Sequence, residues 1–323
     1  MLRSVVRSPF TSRRVAGLYT VELPAPRAAA PALVLLHGFG NGAAMFCLVL
    51  DLLAPHFHVF AVDLNGCGAS ERPAWPRGAT VAEAEAFFVD SLDAWRDAVG
   101  LRNAVFVGHS LGGYLAGAYT LRHPARVRHL VLASPVGLPP PPPPAADPAA
   151  AWRSSSWAAG LVALAWEYGV TPQTLIKAAG AWGEPRVRAV LGARFGDMMM
   201  RSPRARALDR EALSRYLYDI NANDNSGERA LSALFAFGAS ARDPLGPRLA
   251  RAAGGPAPFP PVSFVYGAKG RDWMLRVSPG EETASSLRAR GFKADVLYLP
   301  EAGHNLQLES PERFAEAIIA RCA

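Results

Sequence analysis

The sequence predicts an α/β fold in which a mostly parallel sheet carries helices on both faces. From Ala32 onward, short apolar runs alternate with segments of helical periodicity, a pattern typical of such sheets. The alternation stops at Gly137 and resumes at Val262, which indicates one large helical insertion. The length of 323 residues is sufficient for a sheet of this kind together with an insertion.

Six apolar runs are predicted to be strands, and each is followed by a loop and usually by a helix. They are residues 32–36, 58–63, 104–108, 127–133, 262–266 and 293–299. Alternating apolar side chains among residues 15–23 predict a first strand ahead of them. Apolar residues at helical spacing predict a helix over residues 81–99, and Thr80 with Glu83 has the pattern of a capping box at its start.

The predicted insertion begins with a run of six prolines, residues 139–144, which continues neither a helix nor a sheet. Four helices are predicted to follow, over residues 172–180, 184–191, 209–220 and 228–237. The predicted domains are therefore a core of residues 1–136 and 262–323 and a helical lid of residues 137–261. A lid in this position would cover the carboxyl edge of the sheet, where ligands bind in open α/β folds.

Composition excludes several classes of protein. Half of the residues are hydrophobic and 19% are charged, unlike a disordered, fibrous or coiled-coil chain. The three cysteines, Cys47, Cys67 and Cys322, form no C-x-x-C pair, so neither a disulfide framework nor a structural zinc site is predicted. A reducing compartment is expected, and no motif calls for a metal or a cofactor.

The chain is basic, with a net charge of +7, and only three of its 34 basic residues are lysines. An arginine-rich surface is compatible with genomic base composition alone, or with attraction to anionic phospholipids and phosphate-bearing substrates. Nucleic acid is not a predicted partner, because no basic run with interleaved aromatic residues is present.

The sequence also bears on location. No apolar stretch reaches the ~20 residues that a membrane-spanning helix needs. Residues 1–18 contain four arginines, and no acidic residue precedes Glu22, a composition shared with mitochondrial and plastid transit peptides. The expected location is cytoplasmic, with peripheral contact to membranes or lipid droplets, and a mitochondrial or plastid location stays open.

The strongest chemical motif is a G-x-S-x-G sequence at residues 108–112, between a predicted strand and a predicted helix. Glycines at both ends permit the sharp strand-to-helix turn that exposes a strained serine. Ser110 is therefore the predicted nucleophile.

A serine nucleophile needs a base, and the base needs an acid that orients it. His304 is the predicted base, since it follows the last predicted strand and precedes the closing helix. Asp272 is the first carboxylate after the strand over residues 262–266, whereas the loop after Ala133 offers none before Asp147. Asp272 is therefore the predicted acid.

Two backbone N–H groups are needed to bind the oxyanion of an acyl-transfer intermediate. One is predicted to be that of Leu111, which follows the nucleophile at a helix N-terminus. The other is predicted to be that of Phe39 in the sequence HGFG, residues 37–40, with His37 as a structural residue of that loop.

The start of the predicted lid is rich in tryptophan, with Trp152, Trp157 and Trp166. These residues are candidate substrate-binding residues that seal an acyl pocket. Indole rings also suit lipid interfaces, so docking on a bilayer or droplet is an alternative, and packing within the lid is another.

These motifs, in the chain order Ser110, Asp272, His304, resemble the α/β-hydrolase superfamily. Within it, the sequence is similar to a lipid-metabolising subfamily. That subfamily includes the lipase coactivator of lipid droplets, the lysophospholipase acting on N-acyl phosphatidylethanolamine, plant soluble lysophosphatidic acid acyltransferases and fungal cardiolipin deacylase. The resemblance is carried by HGFG from residue 37, FVDSLDAW from 88, GHSLGGYL from 108 and HPARVRHLVLASPVGLP from 123. Its most specific part is residues 216–245, around Asn225-Ser226-Gly227-Glu228, where the residues alone indicate a helix with Ser226 as its N-cap.

The sequence departs from this subfamily at several positions. The coactivator branch carries Asn at the nucleophile position, whereas this chain has Ser110, so the resemblance is compatible with catalysis. The H-x-x-x-x-D acyltransferase signature is only approximated, because Glu309 stands five positions after His304. Asp272 is two residues further from Gly267 than in common hydrolases, which predicts a longer loop. Residues 1–9 resemble the start of the subfamily's folded domain, which argues against a transit peptide.

The resemblance and the predicted triad together imply a serine hydrolase that cleaves acyl esters of phospholipids, lysophospholipids or acylglycerols through an acyl-enzyme on Ser110. The expected partner is a lipid, met at a membrane or lipid-droplet surface. Three alternatives stay open: acyl transfer from acyl-CoA to lysophosphatidic acid, a non-catalytic protein that activates another lipase, and a hydrolase of small esters.

Overall fold

The computed structural model describes residues 2–25, 27–75, 78–140, 153–199, 202–223, 226–255, 258–268 and 270–323. Trp152 and Asn225, both singled out from the sequence, lie outside the described residues. No helix in the described ranges is both long and apolar enough to cross a bilayer.

The centre of the molecule is an eight-stranded sheet with the strand order β1-β2-β4-β3-β5-β6-β7-β8. The strands are β1 Thr11–Val15, β2 Leu18–Leu23, β3 Ala32–Leu36, β4 His58–Val62, β5 Ala104–His109, β6 Val127–Ala133, β7 Val262–Gly267 and β8 Ala294–Leu299. Strands β3 to β8 pair in parallel, and β1 and β2 add antiparallel at one edge. The predicted, mostly parallel α/β fold is confirmed.

All six predicted strands are present, and β3 and β6 have the predicted bounds. The first strand predicted among residues 15–23 is present as β2, and the chain forms a further strand ahead of it, β1, which pairs with β2 in a hairpin and was not predicted. Ala16 and Gly17 make the turn with φ angles of 44° and 82°. Two consecutive residues with positive φ fit the tight turns of hairpins. Strand β1 is mostly polar and exposed, so no apolar alternation marks it in the sequence.

Helices connect the strands and cover both faces of the sheet. They are α1 Leu2–Val5, α2 Cys47–Leu53, α3 Val81–Ala98, α4 Leu111–Arg122, α5 Trp157–Glu167, α6 Pro172–Met199, α7 Pro203–Arg206, α8 Arg210–Ala222, α9 Ser226–Leu234, α10 Leu245–Ala253, α11 Met274–Val277, α12 Glu281–Ala289, α13 Leu306–Glu309 and α14 Pro311–Cys322, with short 3₁₀ helices at Ala43–Phe46 and Pro124–Arg126. The predicted capping box of α3 is confirmed, since the Thr80 hydroxyl accepts the Glu83 N–H and the Glu83 carboxylate accepts the Thr80 N–H.

Helices α5 to α10 lie between β6 and β7 and are called the inserted helices below. Helix α6 joins two predicted helices, and its backbone leaves the helical region at Gly180, where φ is 50° and ψ is −148°. The described part of helix α9 begins at Ser226, and the buried Ser226 hydroxyl has no hydrogen-bond partner among the described residues, so the predicted capping by its side chain is not seen.

The core has one apolar cluster on each face of the sheet. Along the buried strand β5, Phe106 packs into one cluster and Val107 into the other, as the two-residue period of a strand requires. Trp95 of α3 is fully buried in the first cluster, and its Nε1 donates a hydrogen bond to Thr20 Oγ1 at 2.8 Å. This packing fixes the parallel strands, and the carboxyl ends of β5, β7 and β8 therefore meet at one edge.

Candidate active site

Ser110 lies at the turn between β5 and α4, with φ 54° and ψ −115°. Its N–H donates to the Ala133 carbonyl at 2.9 Å, which holds the turn against β6. A Cβ at Gly108 would lie 2.2 Å from the Gly112 oxygen, and a Cβ at Gly112 would lie 2.3 Å from the Leu36 oxygen. No side chain fits at either position, so both glycines are required for a backbone that holds the serine in a strained conformation.

Asp272 and His304 are brought together from the loops after β7 and β8. His304 Nδ1 lies 3.3 Å from Asp272 Oδ1, and the carboxylate is buried. Three further donors bond this carboxylate, namely Ser134 Oγ at 2.5 Å, Gly267 N at 3.0 Å and Met274 N at 3.0 Å. Because a carboxylate only accepts, Nδ1 carries the proton and Nε2 is left with a free lone pair.

The hydrogen bonds also determine the charge of Asp272. Burial by itself would raise its pKa, but the hydrogen bonds from His304 and Ser134 outweigh burial, so the pKa lies below the ordinary value for Asp. Asp272 is therefore ionised at neutral pH.

The loop around His304 is held from several sides. The His304 carbonyl accepts a hydrogen bond from His109 Nε2 at 2.8 Å. The ring centroids of His109 and Trp273 lie 4.8 and 5.1 Å from that of the His304 imidazole. Burial and the neighbouring His304 lower the pKa of His109 to about 3, so His109 is neutral. On the other side, the Glu309 carboxylate accepts the N–H groups of Gly303 and Asn305.

The HGFG loop lies directly against Ser110. A Cβ at Gly38 would be 3.1 Å from the Cβ of Ser110, so a side chain here would require Ser110 or the loop to shift by a few tenths of an ångström. His37 is buried, accepts the Leu64 N–H on Nε2 at 3.0 Å and donates from Nδ1 to the Gly38 carbonyl at 2.8 Å. Burial lowers the pKa of His37, which keeps the ring neutral and able to do both.

The two predicted oxyanion donors lie on either side of this contact. Leu111 is the first residue of α4, and Phe39 follows Gly38 in the loop. Within the described ranges, no acceptor is bonded to the N–H of either residue.

A cavity of about 380 Å³ opens beside these groups. Ser110, His304, Phe39 and Leu111 line it, while Asp272 lies behind His304. The remaining wall is mainly apolar and includes Val136, Trp166, Ile176, Leu217, Leu231, Phe235 and Met274. A cavity with one polar, reactive end and apolar walls fits an acyl chain that presents its ester to Ser110.

The tryptophans predicted to bind substrate are placed differently from one another. Trp166 lines the cavity and donates from Nε1 to the Phe235 carbonyl at 3.0 Å. Trp157 is 81% exposed at the start of α5 and lies away from the cavity wall. Trp152 lies outside the described residues.

Comparison with known proteins assigns the fold family. The sequence model of the family described as alpha/beta hydrolase fold matches residues 31–311. This chain belongs to the α/β hydrolase fold family.

The relatives of this α/β hydrolase have names from lipid metabolism. A probable 1-acylglycerol-3-phosphate O-acyltransferase from Oryza sativa subsp. japonica is 34% identical, over 91% of this chain and 67% of the relative. A (lyso)-N-acylphosphatidylethanolamine lipase from Bos taurus is 30% identical, over 90% and 78%. Both match the lipid-metabolising subfamily that the sequence resembles. The solved structure of a bacterial membrane phospholipase A shares the fold, with a TM-score of 0.65 and 22% identity, and covers 100% of this chain and 89% of that one.

Sequence reasoning missed two supporting residues of this α/β hydrolase, Ser134 and Asn221, and it considered Glu309 only as part of an acyltransferase signature. Ser134 bonds Asp272, Glu309 bonds the His304 loop, and Asn221 bonds the HGFG loop. A signal was present for Ser134, a polar residue directly after the strand that neighbours β7. For Asn221 the only signal was its place in residues 216–245, the most specific part of the resemblance, and its contact, which spans 181 positions of the chain, has no local signature.

Proposed function

We propose that this α/β hydrolase is a serine hydrolase that cleaves acyl esters of phospholipids, lysophospholipids or acylglycerols. The observation that carries the proposal is the Asp272–His304 pair, joined at 3.3 Å next to the strained Ser110 on the wall of a mainly apolar cavity. The names of the relatives support a lipid as substrate.

In the first half of the reaction, Ser110 Oγ attacks the ester carbonyl while His304 Nε2 accepts its proton. The ionised Asp272 stabilises the imidazolium through Nδ1. The N–H groups of Phe39 and Leu111 bind the oxyanion, and the N-terminal position of Leu111 adds the positive end of the α4 dipole. His304 then gives the proton to the leaving alcohol, and the acyl group stays on Ser110.

In the second half, water attacks the acyl-enzyme, His304 accepts a proton from it, and the fatty acid leaves. Acyl transfer to lysophosphatidic acid is the second candidate, favoured by the name of the rice relative. It differs in both substrates, since the acyl group on Ser110 comes from acyl-CoA, with CoA leaving as its thiol, and a lysophospholipid hydroxyl replaces water as the acceptor.

The surface of α5 supports contact with a lipid interface. Trp157, Leu161, Val162 and Leu164 are all more than half exposed on this helix, which has no charged residue before Glu167. Exposed apolar side chains with an indole at one end suit insertion among lipid headgroups and acyl chains. We therefore propose that α5 binds the surface from which the lipid substrate enters.

The test measures fatty-acid release from labelled phospholipid, lysophospholipid and triacylglycerol vesicles, with and without acyl-CoA. Wild type is compared with Ser110→Ala and with Ser232→Ala, whose hydroxyl donates only within its own helix to the Arg229 carbonyl. Fatty-acid release that disappears in Ser110→Ala but not in Ser232→Ala supports the hydrolase. Transfer of a labelled acyl group from acyl-CoA to lysophosphatidic acid supports the acyltransferase. A wild type that is inert in every mixture overturns both and favours a non-catalytic lipase activator.

A further inference from the structure

The HGFG loop has a second support, which comes from the inserted helices. Asn221, near the end of α8, is buried, and its Nδ2 donates to the Gly40 carbonyl at 2.8 Å. The same nitrogen donates to the Leu217 carbonyl of its own helix at 2.7 Å. Asn221 therefore ties the inserted helices to the loop that carries Phe39.

The orientation of this amide is fixed. Two carbonyls take the two hydrogens of Asn221 Nδ2, so Oδ1 faces the other way as an acceptor. Gln173, buried in the first turn of α6, donates to that oxygen from Nε2 at 2.9 Å. A flipped Asn221 amide would set oxygen against both carbonyls, so only one orientation satisfies the network.

Two peptide units link Asn221 to the Phe39 N–H. The Gly40 carbonyl shares a planar peptide unit with the Asn41 N–H, which donates to the Gly38 carbonyl at 3.2 Å. The Gly38 carbonyl belongs to the peptide unit between Gly38 and Phe39, and the same unit carries the Phe39 N–H. Because each unit is rigid, the direction of the Gly40 carbonyl bears on the direction of the Phe39 N–H.

The two amides pack closely against Gly40. Gly40 has a φ of +68°, and a Cβ there would lie 3.3 Å from Asn221 Oδ1 and 3.4 Å from Gln173 Nε2. His37 holds the Gly38 carbonyl from the side of the core, and Asn221 holds the Gly40 carbonyl from the side of the inserted helices. The residue between these two anchored carbonyls is Phe39.

We propose that Asn221 is a positioning residue for the oxyanion loop and that Gln173 keeps its amide in the working orientation. The inference rests on the proposed function, in which the Phe39 N–H binds the oxyanion. It implies that α8 and the start of α6 stay docked during the reaction and form part of the catalytic framework.

The test compares wild type with Asn221→Ala and with Asn221→Asp, which keeps the shape and removes the donor. Asn223→Ala is the matched control, since this exposed amide of the same segment donates to the Asp219 carbonyl. On a soluble short-chain ester, both Asn221 variants are expected to lose about 10- to 100-fold in kcat. This loss is expected to exceed any change in KM, although Asn221 also lies on the cavity wall. Their amide hydrogen exchange in residues 37–42 is expected to rise, and Asn223→Ala is expected to match wild type in both.

Hydrogen exchange separates this inference from the proposed function, because it requires no turnover. If wild type hydrolyses no ester but the Asn221 variants still exchange faster, Asn221 does hold the HGFG loop, and the proposed hydrolase activity is rejected. Wild-type kcat and unchanged exchange in both variants overturn the inference while the hydrolase stands. If either Asn221 variant fails to fold, Gln173→Leu, which releases the amide from its orienting donor, undergoes the same two measurements with the same criteria.

Discussion

The carboxylate of Glu309 brackets His304, because it accepts the backbone N–H groups of the residues before and after the histidine. The two hydrogen bonds measure 2.8 Å from Gly303 and 3.1 Å from Asn305, and each uses a different carboxylate oxygen. Glu309 is buried and faces the backbone. Glu309 therefore fixes the backbone on both sides of His304 and, through it, the position of the imidazole ring. This gives a structural reason for a glutamate five positions after the histidine.

Replacing Glu309 is expected to slow the reaction without weakening substrate binding. Glu309→Ala removes both acceptors and lets the His304 loop shift, which is expected to lower kcat by about 10- to 100-fold with KM unchanged. Glu309→Asp is one methylene shorter and is expected to keep part of the rate. Steady-state kinetics on a soluble ester test this, with the exposed Glu316→Ala as control. Wild-type kcat in Glu309→Ala would falsify the role.

Replacing Ser134 is expected to change the pH dependence. Ser134→Ala removes a donor that helps hold the pKa of Asp272 low, so that pKa rises. Activity that needs the ionised carboxylate is lost as pH falls through its pKa, so the loss is expected at higher pH in the variant. A fall in kcat of about tenfold is also expected, in line with ~1–3 kcal/mol for an under-satisfied buried acceptor. Ser91→Ala is the control, since the Ser91 hydroxyl donates to the Phe88 carbonyl within α3. Coincident pH–rate profiles of wild type and Ser134→Ala would contradict this account.

Charge on α5 is expected to weaken lipid binding selectively. Leu161 is more than half exposed, and Leu161→Asp replaces an apolar side chain that would insert among lipids. Burying a leucine is worth ~1.5–3 kcal/mol, so vesicle binding is expected to fall about tenfold or more while turnover of a soluble ester is unchanged. Thr11→Asp adds the same charge on the exposed strand β1 as a control. Equal vesicle binding by wild type and Leu161→Asp in flotation assays would rule out α5 as the lipid-binding surface.

Asp93 is expected to make stability depend on pH. Partial burial by itself would raise its pKa, but hydrogen bonds from Arg126 and Tyr119 outweigh it and lower the pKa to about 2. A group with a lowered pKa stabilises the fold above its unfolded value of about 4 and loses that contribution as pH falls through 2. Asp93→Asn is expected to be about 1 kcal/mol less stable than wild type at pH 7. Most of this difference is expected to be gone near pH 2, and all of it below the folded pKa. Urea unfolding across this range tests it, with the exposed Asp90→Asn as control. A difference that persists undiminished at pH 2 would show that ionisation of Asp93 is not its source.

The periodic features of the fold were predictable from sequence. Strand β6 was placed residue for residue because its apolar run is bounded by polar residues, and the capping box of α3 has a local signature at Thr80 and Glu83. The β1–β2 hairpin was missed because β1 is mostly polar and exposed, so it has no alternation of apolar side chains. Local patterns therefore give element type and often bounds, and they fail for an exposed edge strand with too few apolar residues to show a period.

The residues nearest to the proposed chemistry were chosen by motif and chain order, and the structure brings Asp272 and His304 into contact. Their supports were invisible for a physical reason. Ser134 reaches Asp272 across 138 positions, and Asn221 reaches Gly40 across 181. Such contacts depend on how distant segments pack, and no local periodicity encodes that.

The insertion between β6 and β7 also has a consequence for biosynthesis. Strand β6 pairs with β7, so a chain that stops within the inserted helices leaves β6 as an open, apolar sheet edge. Exposed edges of this kind pair readily with other chains. Premature termination or proteolytic loss of the C-terminal segment is therefore expected to give aggregated product rather than a smaller folded domain, and recombinant production should place any affinity tag at the C-terminus, so that purification retains only completed chains.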